Sequence, residues 1–124
     1  MGQTEVRNKE VVRTYYTYID SAELDQLYTL FDNKITYERE GTGCILGLGS
    51  LRRFYKKERV IESGTHINMT VRSVRDYVAT EGDFVGVLKN GDAVNTHFFE
   101  KFWFGENGKI VKCVTTFGKS SCKV

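Results

Sequence analysis

The chain has no proline, one tryptophan, three cysteines and two histidines, and no apolar stretch in it is longer than a strand. Each shortage removes a class of function. Cys44, Cys113 and Cys122 have no CxxC spacing and only His66 and His97 to complement them, which argues against a disulfide framework and against a zinc site. The thiols are read as reduced. With no metal-ligand cluster and no phosphate-binding loop, neither a metal nor a cofactor is expected. The short apolar runs give no transmembrane helix and no secretory signal, and Val6 stands where a myristoylation signal needs Ser or Thr. A cytoplasmic protein without membrane contact is the expectation. The net charge of +2 is too small to imply a nucleic-acid partner. To the missing prolines we attach no function.

What is present fits one globular unit. The 124 residues are enough for a single core, and a composition 40% hydrophobic and 13% aromatic is ordinary for one, so residues 1–124 read as one domain. Val12, Tyr15, Tyr16 and Ile19 recur at helical spacing in residues 5–19 and predict an amphipathic first helix. Asp20-Ser-Ala-Glu23 reads as a capping box opening a shorter second helix. Residues 34–40 alternate as a strand, a glycine-rich loop runs from Gly41 to Gly49, and Ser50 is read as the cap of a third helix, LRRFYKKER. Four strands follow, over residues 65–74, 77–88, 94–104 and 109–117, with turns at Lys89-Asn90-Gly91-Asp92 and Glu106-Asn107-Gly108. Three helices on one face of a curved, mostly antiparallel sheet make an α+β cone whose open end suits a small apolar ligand.

The chemistry concentrates in the strand HFFEKFWF. Alternation puts Phe98, Glu100, Phe102 and Phe104 on one face and Phe99, Lys101 and Trp103 on the other, so one carboxylate shares a face with phenyl rings. Such an acid is pushed toward its neutral form unless a cation holds it ionised. Arg39, on the predicted first strand, is the cation expected close to Glu100, and the pair either orients a carbonyl or carboxylate ligand or is a structural salt bridge. Glu38 points the other way unless a bulge intervenes.

Four segments, VVRTYYTYIDSAELDQLYTLF, ITYEREG with LGLGSLRRFY, DFVGVLKNGDAV, and HFFEKFWFGENGKIVKCVTTFG, resemble in order and spacing the NTF2-like superfamily, and within it the SnoaL-like branch that includes ketosteroid isomerases and polyketide cyclases. The resemblance implies a conical pocket between helices and sheet, homodimers through the outer sheet face, and either cofactor-free acid–base chemistry or non-catalytic binding. Against the ketosteroid isomerases, the oxyanion-donating tyrosine falls on Tyr15, five residues before Asp20. The second donor falls on Glu100 and the final-strand aromatic on Phe117. The catalytic base falls on Arg39, and a guanidinium does not abstract a proton from carbon at neutral pH. The Arg-x-Asp pair of limonene epoxide hydrolases is also missing, since Thr80-Glu81-Gly82-Asp83 stands in its place.

The remaining candidates carry two readings each. Tyr15 is a donor to a ligand oxygen or a core aromatic, and only one of Tyr15 and Tyr16 can point centrally. His66 is a general acid or base on a pocket strand, or a satisfied core histidine. His97 has the parity of the outer face. Glu81 and Asp83 are read as solvated acids, with Asp83 a replacement base if their face were inward. Arg52, Arg53, Lys56, Lys57 and Arg59 read as a solvated helix exterior. Cys113, Thr115 and Phe117 share a face and, with Phe98 and Phe102, are expected to line the cup around Glu100. Tyr15, Arg39, Glu100 and His66 are therefore the candidate catalytic groups. The expected partners are a small hydrophobic, oxygenated molecule and a second copy of the chain.

Overall fold

A computed structural model describes residues 2–118, so Cys122 lies outside the described residues. Helix α1, Gln3–Asp20, buries Val12, Tyr15, Tyr16 and Ile19, the stripe that its periodicity predicts. It ends where Ala22 takes a positive φ of 59°. Helix α2 is a single turn, Leu24–Tyr28, that buries Leu27 and Tyr28. No side chain caps it, so the expected capping box is not formed. Ser21 Oγ donates to Glu23 Oε2 at 2.6 Å, and the Asp20 carboxylate is drawn away to the backbone N–H of His66.

Strand β1 is Phe31–Arg39, and the glycine-rich segment contains a short strand β2, Gly43–Leu46, paired antiparallel to it. The loop expected there is thus partly sheet. Helix α3, Leu48–Arg53, starts from Gly47 at φ +87°, not from Ser50, which lies within the helix. A side chain is strained at that φ, so glycine supplies the entry. The helix continues as a π turn, Phe54–Glu58, closed by Arg59 N–H donating to Phe54 O at 2.7 Å.

Strands β3 (Ile61–Val74), β4 (Tyr77–Leu88), β5 (Ala93–Phe104) and β6 (Ile110–Phe117) complete one sheet in the order β2-β1-β6-β5-β4-β3. Only β1 and β6 run parallel. The fold is α+β, three helices against the inner face of a curved six-stranded sheet. Strand β5 shows the alternation most plainly, with Val94, Thr96, Phe98, Glu100 and Phe102 buried while Phe99 is 42% exposed. Register then sets one row across four strands, because Arg39 pairs with Thr115, Thr115 with Glu100, and Glu100 with Thr80. All four of these polar residues are buried.

Candidate functional site

That polar row is the floor of the site. Glu100 Oε1 accepts from Tyr16 Oη at 2.5 Å, and Tyr16 Oη also meets Thr80 Oγ1 at 2.6 Å. Glu100 Oε2 accepts from the Thr115 hydroxyl. Both oxygens are thus occupied by hydroxyl donors, an acceptor-only arrangement that suits a carboxylate and makes short bonds. The expected direct ion pair between Arg39 and Glu100 is not formed. Thr115 lies between them in the row, and two strand spacings keep the backbones about 10 Å apart. Arg39 Nη1 donates instead to Tyr37 Oη at 3.0 Å, and Tyr37 Oη lies 3.4 Å from Thr115 Oγ1. The cation and the carboxylate are therefore joined through Tyr37 and Thr115. The Arg39 guanidinium is stacked between the rings of Phe54 and Phe117, at 5.3 and 5.1 Å. Glu38 faces outward and approaches Lys112 at 3.7 Å, so β1 has the regular parity expected.

Tyr15 and Tyr16 are both buried, their rings edge to face at 4.9 Å. Tyr16 is the one that reaches Glu100; Tyr15 Oη lies 3.3 Å from Tyr55 Oη. Burial first and Glu100 second push both phenols well above the usual tyrosine range, so they remain donors. Burial and Glu100 also push the Cys113 thiol up, which makes it a poor nucleophile.

An inner cavity of about 20 Å³, room for one water-sized group, is walled by Tyr15, Arg39, Arg59, His66, Glu100 and Thr115, together with Phe84, Phe98 and Phe117. It shares Ile19, Arg59, Ile61 and Phe84 with an outer bowl of about 210 Å³ that also includes Asp20, Tyr55, Lys56 and Lys89. Of the residues expected to line the cup, Phe98, Thr115 and Phe117 do so. Phe102 and Cys113 are fully buried outside the cavity wall, with the Tyr15 ring standing edge-on over Phe102 at 5.2 Å.

His66 enters from β3. Asp20, at the end of α1, accepts from its backbone N–H at 2.9 Å and holds its Nδ1 at 2.5 Å. A carboxylate only accepts, so Nδ1 is the donor, and in the neutral ring Nε2 is the nitrogen left to accept a proton. The ring is packed among Tyr16, Phe84 and Phe98. This partner was missed in the sequence, where Asp20 served as a helix cap; a histidine 46 positions away carries no local signal. Arg59 was missed for a different reason. Continued as an α-helix, the basic run is a solvated face, but the helix closes in a π turn, and Arg59, the extended residue that follows it, lines the cavity wall.

Outside the cone, Glu81 and Asp83 face away from the core, as expected of solvated acids, and take the two ring nitrogens of His97 at 2.8 Å each. The His97–Asp83 bond above all, then the Glu81 bond, raises the histidine pKa. Among the described residues no three His, Cys, Asp or Glu side chains are placed to hold a metal ion together, and no helix is long and apolar enough to cross a membrane.

The fold recurs widely. A Xanthomonas campestris protein provisionally assigned as a polyketide cyclase superposes with a TM-score of 0.81 at 14% identity, over 91% of each chain. TerC, crystallised with polyporic acid, gives 0.78 at 15% identity, over 90% of this chain and 92% of its own. A phenazine biosynthesis-related protein of Pseudomonas aeruginosa gives 0.80 at 17% identity, over 94% of this chain and 78% of its own. At these identities the likeness carries the fold and not the reaction. No curated protein matches the sequence. The family model of the SnoaL-like domain matches residues 12–113, and the chain belongs to that family.

Proposed function

We propose that the inner cavity and the outer bowl together bind a small, apolar, oxygen-bearing molecule, and that a proton is moved on it without a cofactor, as by an isomerase or cyclase. The observation that carries this is the Asp20–His66 pair: a carboxylate fixes the histidine's tautomer and orientation at a cavity that also contains a buried guanidinium. His66 Nε2 takes a proton from carbon next to a carbonyl, and the C–H electron pair moves into the new enolate with its charge on oxygen. Arg39 and the Tyr15 hydroxyl stabilise that oxygen, and His66 returns the proton at another carbon, so nothing is oxidised or reduced. Asp20 acts through His66 as a positioning residue. Glu100 holds Tyr16 and Thr115 and offsets the Arg39 charge.

The test is α-proton exchange of 2-tetralone in deuterated water, followed by NMR. The protein is expected to accelerate exchange and His66→Ala to abolish it. Exchange at the buffer rate with wild type, or unaltered exchange in His66→Ala, overturns the reading. The second reading, a non-catalytic binding module, is favoured by the small inner cavity, in which both oxygens of Glu100 are already occupied by protein hydroxyls. Binding of the ketone without exchange would support it. The protein also forms a homodimer through the outer sheet face, where Ile67, Val85 and Phe99 are each 40–42% exposed. Sedimentation velocity is expected to give a dimer for wild type and a monomer for Phe99→Arg.

A further inference from the structure

Two guanidiniums face the inner cavity, and among the described residues neither is paired with a carboxylate. Arg39 is 8% exposed and spends one of its five N–H donors on Tyr37, while its Nε is buried without a partner. Arg59 lies over the Tyr55 ring at 5.6 Å, and its Nε is likewise buried and unpartnered. The one carboxylate in that wall, Glu100, already has both oxygens taken by hydroxyls. Buried donors without acceptors and cations without counter-charge are costly, and ring faces accept none of the in-plane N–H bonds. Arg59 borders the outer bowl as well, where Lys56 and Lys89 add positive charge against two acids, Asp20, already bonded to His66, and Glu62, so cations outnumber acids by one.

Building on the reading of this cavity as the ligand site, we infer that its ligand is a monoanion, an apolar molecule carrying a carboxylate. The carboxylate sits where the inner cavity meets the outer bowl, taken by Arg59 and Arg39, whose planar forks match it. The apolar body lies in the bowl against Ile19, Leu24, Tyr55, Ile61 and Phe84.

The experiment is isothermal titration of the full chain with 2-naphthoate and with its neutral isostere 2-naphthamide. The acid is expected to bind about ten- to a hundredfold more tightly than the amide, and Arg59→Gln to remove that preference. Arg39→Met is expected to do the same; Arg59, being less buried than Arg39, keeps the test informative if the buried change unfolds the protein. Equal affinity for acid and amide, no binding of the acid at millimolar concentration, or an acid preference that survives Arg59→Gln overturns the inference. The readout is equilibrium binding and is independent of turnover. Exchange of 2-tetralone without naphthoate binding leaves proton transfer standing and removes the anion site; naphthoate binding without exchange does the reverse.

Discussion

Replacing Tyr16 by phenylalanine separates the two tyrosines that the sequence could not rank. The hydroxyl donates to Glu100 at 2.5 Å and meets Thr80 at 2.6 Å, inside a core where water does not replace it. A hydrogen bond to a charged group contributes about 1.5–3 kcal/mol, and its loss also leaves a carboxylate oxygen without its donor, so Tyr16→Phe is expected to cost about 2–3 kcal/mol. With an unfolding entropy of about 2.1 cal/mol/K per residue, a chain of 124 residues loses about 4 °C of Tm per kcal/mol, which gives a fall of about 8–12 °C. Tyr15→Phe removes only a 3.3 Å contact between two neutral hydroxyls and is expected to cost about 1 kcal/mol or less. Urea titration and thermal melting followed by circular dichroism measure both. Equal losses, or a larger loss for Tyr15→Phe, would refute the assignment of Tyr16 as the donor that holds Glu100.

Asp20→Asn keeps the shape of the site but leaves one acceptor oxygen where two hold the His66 backbone N–H and Nδ1, so turnover is expected to fall by about 10²–10⁴-fold, with substrate binding little changed in steady-state kinetics. NMR titration is expected to find the His97 pKa above 6.5 and to see it fall toward that value in Asp83→Asn. Because its folded pKa is raised, the stability that His97 contributes is complete below pH 6.5 and is lost as pH rises through the folded pKa. The Asp83 pKa is lowered, chiefly by His97 and then by Asn68, so its contribution holds above pH 3.8 and is lost as pH falls through the folded value. Gly86→Ala would bring a methyl within 2.9 Å of Gly64 Cα and closer still to Ser63 O, on the pairing strand. A loss of about 3 kcal/mol in a urea titration is expected, and wild-type stability would show that β3 yields at that point.

Much of this molecule is legible residue by residue. The period of Val12, Tyr15, Tyr16 and Ile19 gives α1 and its buried face, and the alternation around Glu100 gives the inner and outer faces of β5. The parity of Arg39 and Glu38 is correct for the same reason: backbone geometry fixes which way consecutive side chains point. The turns with Gly91 and Gly108 mark the hairpins because both glycines take positive φ. The capping box and the Ser50 cap failed because side chains that satisfy a local motif were claimed by tertiary partners or bypassed by a glycine entry.

What sequence alone determined is thus the identity and facing of the elements, which depend on local periodicity and steric preference. The tertiary structure decided which groups meet. It set Thr115 between Arg39 and Glu100, chose Tyr16 over Tyr15, brought Asp20 to His66, and placed Arg59 on the cavity wall at the end of a π turn. These are matters of register between distant segments and of how one helix closes. Neither leaves a periodic trace in the chain, because their energy comes from contacts that exist only once the sheet has closed around the cavity.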